Sequence, residues 1–294
     1  RVGINIYLQG YIPDENVRFR EEAIVFHQKP PQTVALSGEP VKKWETLEKN
    51  YGDFSLTVES GFANKGEVIG ILGPNGIGKT TFIKLLCGIE EPDKGEVMLE
   101  EAEITVSYKP QYISSDYEGT VAELLKDISK DFGSSLYQTE FVRPFRLEGI
   151  MDRRLDRLSG GELQKVAIVA CLSREAQLYL LDEPSAYLDV EERLTMARII
   201  RRTVESRAAT AFVVEHDVVA QDMIADRLMV FTGEPGLKGY GTAPMSLRDG
   251  MNRFLREMNV TFRRDPATKR PRVNKENSKL DREQKAIGEY YYTK

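Results

Sequence analysis

The chain has 294 residues, of which 46 are acidic and 41 are basic, and a formal net charge of −5 at pH 7. This balance argues against a surface that is basic throughout, and no run approaches the roughly 18 apolar residues that indicate a transmembrane helix. The length suffices for one large domain or two smaller ones. Cys87 and Cys171 have neither disulfide nor metal-ligand spacing, so we expect buried thiols in a reducing, cytoplasmic compartment.

Residues 1–40 combine a short apolar start with four prolines and alternating charges. This composition predicts a connector that leaves a preceding domain. His27 stands alone in this segment and is interpreted as a solvated loop residue rather than a ligand.

A glycine-rich loop follows an apolar run that predicts a buried strand at residues 68–72, and it precedes apolar residues at helical spacing. Two glycines five positions apart, with Lys and Thr directly after, are typical of a phosphate-binding loop. Glycines let backbone N–H groups turn toward phosphate oxygens, and the helix N-terminus adds partial positive charge. Lys79 is expected to reach the outer phosphates and Thr80 to offer its hydroxyl to magnesium. The phosphate loop, with the residue after it, reads Gly73, Pro74, Asn75, Gly76, Ile77, Gly78, Lys79, Thr80 and Thr81.

Two more side chains become candidates through their position relative to this loop. Tyr51 lies 22 residues before Gly73, where an aromatic ring can stack on a nucleotide base. A core position for Tyr51 is the equal alternative, and Phe54 is its rival for stacking. Gln111 follows strands predicted at residues 96–99 and 104–108, and its amide oxygen is a candidate magnesium ligand.

Residues 114–157 carry helix-spaced apolar residues at 121–128 and 141–147, which predicts a helical insertion. The insertion leads into Ser159, Gly160, Gly161 and Glu162, followed by an apolar-periodic stretch. Serine as an N-cap and two glycines before a helix predict a second backbone site for anions, and an ordinary capped helix is the alternative.

A continuous apolar run at residues 178–181 predicts a buried parallel strand, and it ends in Asp182 and Glu183. Adjacent carboxylates at a strand end point to opposite sides. We therefore expect Asp182 to hold magnesium and Glu183 to orient and polarise an attacking water. Asp189 precedes an amphipathic helix at 190–204, and His216, after a strand predicted at 210–214, is a candidate to bond a terminal phosphate.

In this order the phosphate loop, Gln111, the Ser-Gly-Gly signature, Asp182-Glu183, Asp189 and His216 resemble the nucleotide-binding domain of an ABC-type ATPase over residues 41–250. The implied fold is α/β, a P-loop ABC ATPase domain with a mixed core sheet and a helical subdomain at about 114–165. The implied cofactors are ATP and Mg²⁺. The resemblance makes Glu183 the catalytic carboxylate, puts His216 and Lys79 on the phosphates, and puts Thr80, Gln111 and Asp182 at the metal.

Glu162 stands where many members of that family have Gln. Together with residues 184–189 it is similar to the E subfamily, the ribosome-recycling ATPases also known as RNase L inhibitor. Segments 16–20, 261–266 and 281–284 resemble the same subfamily. The match covers its second ATPase domain with flanking hinge segments, so we expect this chain to be part of a longer protein.

The resemblance also implies partners. In the family, two ABC domains close head to tail around two ATPs, and the signature of one completes the phosphate site of the other. The subfamily implies the small ribosomal subunit with its rRNA, release or recycling factors, and no membrane. Segment 251–294 is the implied basic hinge, with eight basic against two acidic residues between 253 and 275. Its arginines are expected to contact the opposing domain or rRNA, and pairing with the acidic ATPase body is the open alternative.

The subfamily's iron–sulfur clusters need about eight thiolate ligands. This chain has two cysteines, so those clusters are not expected in it. An ATPase subunit of a membrane transporter is the alternative function, because it shares every ATPase residue. Glu162, the basic tail and the hinge-like flanks argue against that alternative.

Overall fold

The computed structural model describes residues 11–12, 17–18, 40–99, 104–111, 117–265 and 271–292. Most of the predicted connector, including His27, lies outside the described residues, as does Pro266 in the tail. The chain divides into two compact units, one of Leu36–Gly250 and one of Arg1–Ala35 together with Met251–Lys294.

Seventeen strands are assigned within these ranges. In chain order they are β1 (Tyr11–Ile12), β2 (Val17–Arg18), β3 (Pro40–Trp44), β4 (Leu47–Asn50), β5 (Ser55–Val58), β6 (Gly61–Asn64), β7 (Val68–Leu72), β8 (Val97–Leu99), β9 (Val106–Lys109), β10 (Leu178–Asp182), β11 (Thr210–Val214), β12 (Arg227–Glu234), β13 (Lys238–Gly241), β14 (Met245–Ser246), β15 (Phe262–Arg264), β16 (Pro271–Val273) and β17 (Tyr291–Tyr292).

The α-helices of the described residues are α1 (Lys79–Cys87), α2 (Val121–Ile128), α3 (Ser135–Tyr137), α4 (Gly160–Ser173), α5 (Val190–Arg207), α6 (Val218–Ile224), α7 (Leu247–Glu257) and α8 (Lys279–Ala286). A π-helical turn covers Gln138–Val142, and 3₁₀ turns cover Leu147–Ile150 and Leu155–Arg157. Within the described ranges, no helix combines the length and the apolar character that crossing a membrane requires.

The main sheet is mixed, as the resemblance to the ABC-type ATPases implied. Its order is β4-β5-β13-β12-β7-β11-β10-β9, with β14 paired to β12. Strands β12, β7, β11, β10 and β9 are parallel neighbours, whereas β4–β5 and β12–β13 are antiparallel. Because the five strands run the same way, their carboxyl ends meet at one edge of the sheet, where ligands bind in open α/β folds.

The central strands form because their sequences are mainly apolar. All five residues of β7, of β10 and of β11 are buried, as expected for parallel strands covered on both faces. The strands predicted at 68–72 and 210–214 are confirmed, and the strand predicted at 178–181 extends by one residue to Asp182. Strands predicted at 96–99 and 104–108 instead begin at Val97 and Val106.

Two apolar clusters cover the faces of the sheet. On one face Trp44, Phe82 and Phe212 meet edge to face, with ring centroids 5.6 Å apart for Trp44–Phe82 and 5.9 Å for Trp44–Phe212. The other cluster includes the apolar sides of α4 and α5 and much of the helical insertion. Cys171 is buried as predicted, but Cys87 is only half-buried.

The helix-spaced apolar residues at 141–147 are buried in the helical insertion, but they do not form one α-helix. The chain there forms the π-helical turn, further turns at 143–146, and then a 3₁₀ turn. Arg146 interrupts the helix because its φ is +52°, a left-handed conformation that a right-handed helix does not contain. The helix at 121–128 is confirmed, with a capping box between Thr120 and Glu123.

In the smaller unit, β15 pairs with β16 and β17, and α8 is fastened by buried polar side chains. The Thr261 hydroxyl donates to Asp281 at 2.6 Å, and Gln284 Nε2 donates to the Phe262 carbonyl at 3.0 Å. Tyr291 stacks on Phe262 with a centroid distance of 5.5 Å. Hydrogen bonding satisfies these buried polar groups, which would otherwise destabilise the unit.

Candidate active site

A cavity of about 440 Å³ opens where the parallel strands end. It brings together segments that are far apart in sequence: the phosphate loop after β7, Gln111 shortly after β9, and Glu183 directly after β10. We call it the strand-end cavity. Its lining consists of Phe54, Asn75, Gly76, Gly78, Lys79, Thr80, Thr81, Gln111, Glu183 and Gly236.

The phosphate loop wraps around the Lys79 side chain. Lys79 Nζ donates to the carbonyls of Gly73 at 2.9 Å and Pro74 at 2.5 Å. Burial lowers the pKa of Lys79 from 10.5 to about 8, and the negative charges of Glu183 and Asp182 oppose that shift. The ammonium is therefore held inside the phosphate loop, where its positive charge attracts an anionic ligand and partly offsets the two nearby carboxylates.

Glycine is required in this loop for conformational reasons. Gly76 and Gly78 have φ values of +74° and +93°, in the left-handed region that other residues rarely adopt. A Cβ on Gly78 would also lie 2.9 Å from the Leu56 side chain. The loop therefore keeps its N–H groups turned inward only with glycine at these positions.

Two candidate magnesium ligands, Thr80 and Gln111, line the strand-end cavity, and the third, Asp182, is bonded to Thr80. The Thr80 hydroxyl donates to Asp182 Oδ2 at 2.6 Å, and Gln111 lines the same cavity. Burial raises the pKa of Asp182, and the hydrogen bond from Thr80 opposes the rise. A hydroxyl, an amide and a carboxylate are ligands that Mg²⁺ accepts, usually together with substrate phosphates.

Glu183 and His216 meet at the ends of the neighbouring strands β10 and β11. His216 Nε2 lies 2.5 Å from Glu183 Oε1. Glu183 lines the strand-end cavity, whereas His216 is not part of its lining. The Glu183 carboxylate thus has the hydrogen-bond partner of a general base and a position beside the phosphate loop.

The structure separates the signature residues from the cavity. Ser159 caps α4 by accepting the Glu162 backbone N–H on its hydroxyl oxygen at 3.3 Å, and Glu162 Oε2 accepts the Ser159 backbone N–H in return at 2.8 Å. None of residues 159–162 lines the cavity. Hydrogen bonds from the Ser159 backbone and hydroxyl lower the pKa of Glu162, which also pairs with Arg153 at 2.7 Å. Asp189 likewise caps α5 by accepting from Glu192 N at 2.8 Å.

Phe54, the rival candidate for stacking, lines the cavity, and Tyr51 does not. Tyr51 stacks on Phe54 with a centroid distance of 6.4 Å, and its hydroxyl bonds Glu90. Nothing local in the sequence distinguished these two aromatic residues.

Four residues near this site were missed by the sequence reasoning. Lys109 Nζ donates to the Asp182 carbonyl at 3.0 Å, and burial lowers the pKa of Lys109 to about 8. Gln164 bonds the Glu183 carbonyl, Glu215 bonds Ser185, and Gly236 donates its N–H to Gly76 O at 2.9 Å. Lys109 is the last residue of β9 and Glu215 directly follows β11, and the same position at a strand end identified Asp182 and Glu183.

Comparisons with known proteins agree with this geometry. Residues 56–186 match the ABC transporter family. Translation initiation factor RLI1 of Saccharomyces cerevisiae is 45% identical over 99% of this chain and 48% of its own length. ABC transporter E family member 3 of Arabidopsis thaliana is 37% identical over 56% of this chain and 94% of its own length.

Among solved structures, a complex of archaeal ribosomal stalk protein aP1 with archaeal ribosome recycling factor aABCE1 contains a chain that superposes with a TM-score of 0.92. The two sequences are 56% identical, over 99% of this chain and 56% of the other. The chain spans about half the length of RLI1 of Saccharomyces cerevisiae and of two other curated relatives that it matches over 99% of its own length.

Proposed function

The chain belongs to the ABC-type ATPases, in their E subfamily, and from this premise we propose that it binds and hydrolyses ATP with magnesium as one half of a ribosome-recycling clamp. The observation that carries the proposal is the convergence of the phosphate loop, Gln111 and Glu183 on one cavity. The clamp closes in ATP, splits ribosomes and stays on the small subunit until hydrolysis.

In this proposal each part of the strand-end cavity has one task. The loop N–H groups and Lys79 bind the phosphates, and Glu183, oriented by His216, accepts the proton of the attacking water. His216 also bonds the terminal phosphate. The 2.5 Å contact between His216 and Glu183 supports this division because it fixes the direction of the carboxylate.

Thr80, Gln111 and Asp182 are the proposed magnesium ligands. Among the described residues, no group of three or more His, Cys, Asp or Glu side chains is arranged to hold a metal. A site with few protein ligands fits Mg²⁺ bound mainly through nucleotide phosphates. When bound, the ion neutralises phosphate charge during transfer.

The base of ATP stacks, in this proposal, on the aromatic pair of Phe54 and Tyr51, with Phe54 as the contacting ring. The position of Phe54 in the cavity lining supports this choice. Tyr51 then acts behind it, since its ring lies against Phe54 and its hydroxyl against Glu90.

A second ABC domain is the proposed partner for the signature residues 159–162, and Asp189 belongs to the same contact. Their separation from the chain's own cavity supports a role at another domain's nucleotide. Converting a clamp from 1% to 99% closed needs about 5.5 kcal/mol of differential binding. Hydrogen bonds to charged groups contribute about 1.5 to 3 kcal/mol each, so a few phosphate contacts shared by two domains suffice.

The small ribosomal subunit, with its rRNA, and the release or recycling factors are the proposed further partners, in the cytoplasm. The names of the relatives support this choice, because they include a translation initiation factor and a ribosome recycling factor bound to a stalk protein. In the proposal, segment 251–294 acts as the hinge that links closure to the ribosome or the opposing domain.

The test uses a tandem protein that joins this chain to a second ABC domain. Glu183→Gln is expected to trap this protein on small ribosomal subunits in ATP, whereas the unmodified protein dissociates after hydrolysis. Cosedimentation in ATP, in a non-hydrolysable analogue and in ADP measures both states. Glu67→Gln, at the other end of β7, is the matched control and should behave as the unmodified protein. Release of Glu183→Gln in ATP would contradict the clamp, and binding to a membrane subunit through the helical insertion would favour the transporter alternative.

A further inference from the structure

Glu183 has an unusual backbone conformation for a residue with a side chain. Its φ is +47°, in the left-handed region. Such a conformation is strained and persists only where surrounding contacts fix it. We call residues 183–185 the Glu183 turn. Hydrogen bonds from neighbouring elements must therefore keep this turn in its left-handed conformation.

The first contacts act on Glu183 itself. Its N–H donates to the Val214 carbonyl at 3.0 Å, which continues the pairing of β10 with β11. Its carbonyl accepts from Gln164 Nε2 at 2.8 Å. Gln164 is 1% exposed and lies on α4, so the helix that carries the signature residues touches the backbone of Glu183.

The strongest hold on the turn comes from Glu215. One carboxylate oxygen accepts the Ser185 backbone N–H at 2.6 Å, and the other accepts the Ser185 hydroxyl at 2.7 Å. Glu215 is 2% exposed and Ser185 is 5% exposed, so water does not compete for these bonds. A buried carboxylate that accepts two donors from one residue is a rigid connection between β11 and the turn.

The position of Glu215 in the chain also connects it to the side chain of Glu183. It directly precedes His216, whose ring contacts the Glu183 carboxylate. The end of β11 therefore holds both the backbone of the turn, through Glu215, and the side chain of Glu183, through His216. Glu215 itself does not line the strand-end cavity, so it acts through its neighbours.

We propose that Glu215 is a positioning residue for ATP hydrolysis, which keeps the Glu183 turn in its left-handed form and the Glu183 carboxylate directed into the strand-end cavity. The inference rests on the proposed role of Glu183. Without Glu215 the turn relaxes, and the carboxylate moves away from the attacking water. Misplacement of a reacting group by about 1 Å can reduce a rate about 100-fold.

The test compares Glu215→Ala with Glu215→Gln in the tandem protein. Affinity for ATP is measured with a fluorescent analogue, and kcat is measured by phosphate release. The Ala variant is expected to lose at least about tenfold in kcat while its affinity for ATP changes by less than about threefold, since no phosphate contact is lost. The Gln variant is expected to keep most of the kcat of the unmodified protein. Its amide oxygen can accept the Ser185 N–H, and its amide NH₂ can donate to the Ser185 hydroxyl oxygen.

Glu67→Ala is the matched control. Glu67 is also a buried carboxylate, paired with Arg227 at 2.8 Å, and it precedes β7 at the edge of the sheet opposite the cavity. Its removal should lower stability without lowering kcat. A loss of kcat in this control equal to that of Glu215→Ala would mean that any damaged core slows hydrolysis, and the positioning role would be rejected.

Glu183→Gln separates the inference from the function on which it rests. Full activity of Glu183→Gln would reject the proposed role of Glu183 itself. A dead Glu183→Gln with a fully active Glu215→Ala would reject the positioning role alone. If Glu215→Ala does not fold, Ser185→Ala removes only the hydroxyl bond and is expected to lower kcat at constant affinity for ATP. An unchanged kcat in that variant overturns the inference.

Discussion

The buried carboxyl of Glu215 predicts how the stability of the larger unit changes with pH. Burial raises its pKa from 4.5 to about 7; the Ser185 hydrogen bonds and the charge of Arg193 oppose the rise, and Asp217 adds to it. Lys109 on β9 is a further buried charge that interacts with Glu215. Folding therefore changes the proton affinity of this group.

The sign follows from which state holds the proton. Between pH 4.5 and about 7 the folded chain keeps a proton that the unfolded chain releases, so the free energy of unfolding falls as pH rises. The rise of the pKa to about 7 corresponds to a total loss of about 3 kcal/mol in the free energy of unfolding. Most of this loss occurs between pH 5 and pH 8. Glu215→Gln removes this titration. On going from pH 5 to pH 8, the free energy of unfolding of the variant should therefore rise by about 2 to 3 kcal/mol relative to that of the unmodified chain.

Trp44 provides the assay. It is the single tryptophan of the chain, and it is 2% exposed in the core of the larger unit. Its fluorescence therefore reports unfolding of that unit during urea denaturation at pH 5 and pH 8. Other titrating groups cancel in the difference between the two proteins. The same difference in unfolding free energy at both pH values would refute the raised pKa of Glu215.

Three further predictions concern the strand-end cavity and helix α4. Gly239→Ala would place a Cβ 2.1 Å from the Ile77 carbonyl oxygen of the phosphate loop, and it should abolish ATP binding in a fluorescence titration. Gly149→Ala is the control: its Cβ meets open space, so ATP binding should not change. Phe54→Ala should weaken ATP affinity about 5- to 100-fold through lost stacking, and an equal loss in Tyr51→Ala would contradict the choice of Phe54. Ser159→Ala removes the N-cap of α4 and should lower the free energy of unfolding by about 1 kcal/mol in urea; unchanged stability would show that the cap contributes nothing.

Local sequence patterns were sufficient for the elements that position the site. Apolar runs at 68–72 and 210–214 fixed two central strands to the residue, because strands covered on both faces tolerate few polar side chains. Helical spacing located α2. At 141–147 helical spacing did not show that the insertion forms π-helical and 3₁₀ turns instead of an α-helix, because apolar spacing does not reveal a left-handed residue such as Arg146.

The roles assigned to the site residues stay predictions, and the sequence supplied most of the candidates. The phosphate loop was found by its glycine spacing and its Lys-Thr ending. Gln111, Asp182 and Glu183 were found because polar groups directly after predicted strands share one edge of a parallel sheet. This rule depends only on chain direction and burial, both of which the pattern of apolar residues encodes.

Only the tertiary structure decided which side chains touch across segments. It put Phe54 rather than Tyr51 in the cavity lining, brought Gly236 onto the phosphate loop from a hairpin 160 positions away from Gly76, and joined Glu215 to Ser185. Sequence spacing cannot predict such contacts, because they arise from strand order and side-chain packing between distant segments. The sequence thus determined the family and the chemical groups of this protein, and the packing of the sheet decided how those groups are held.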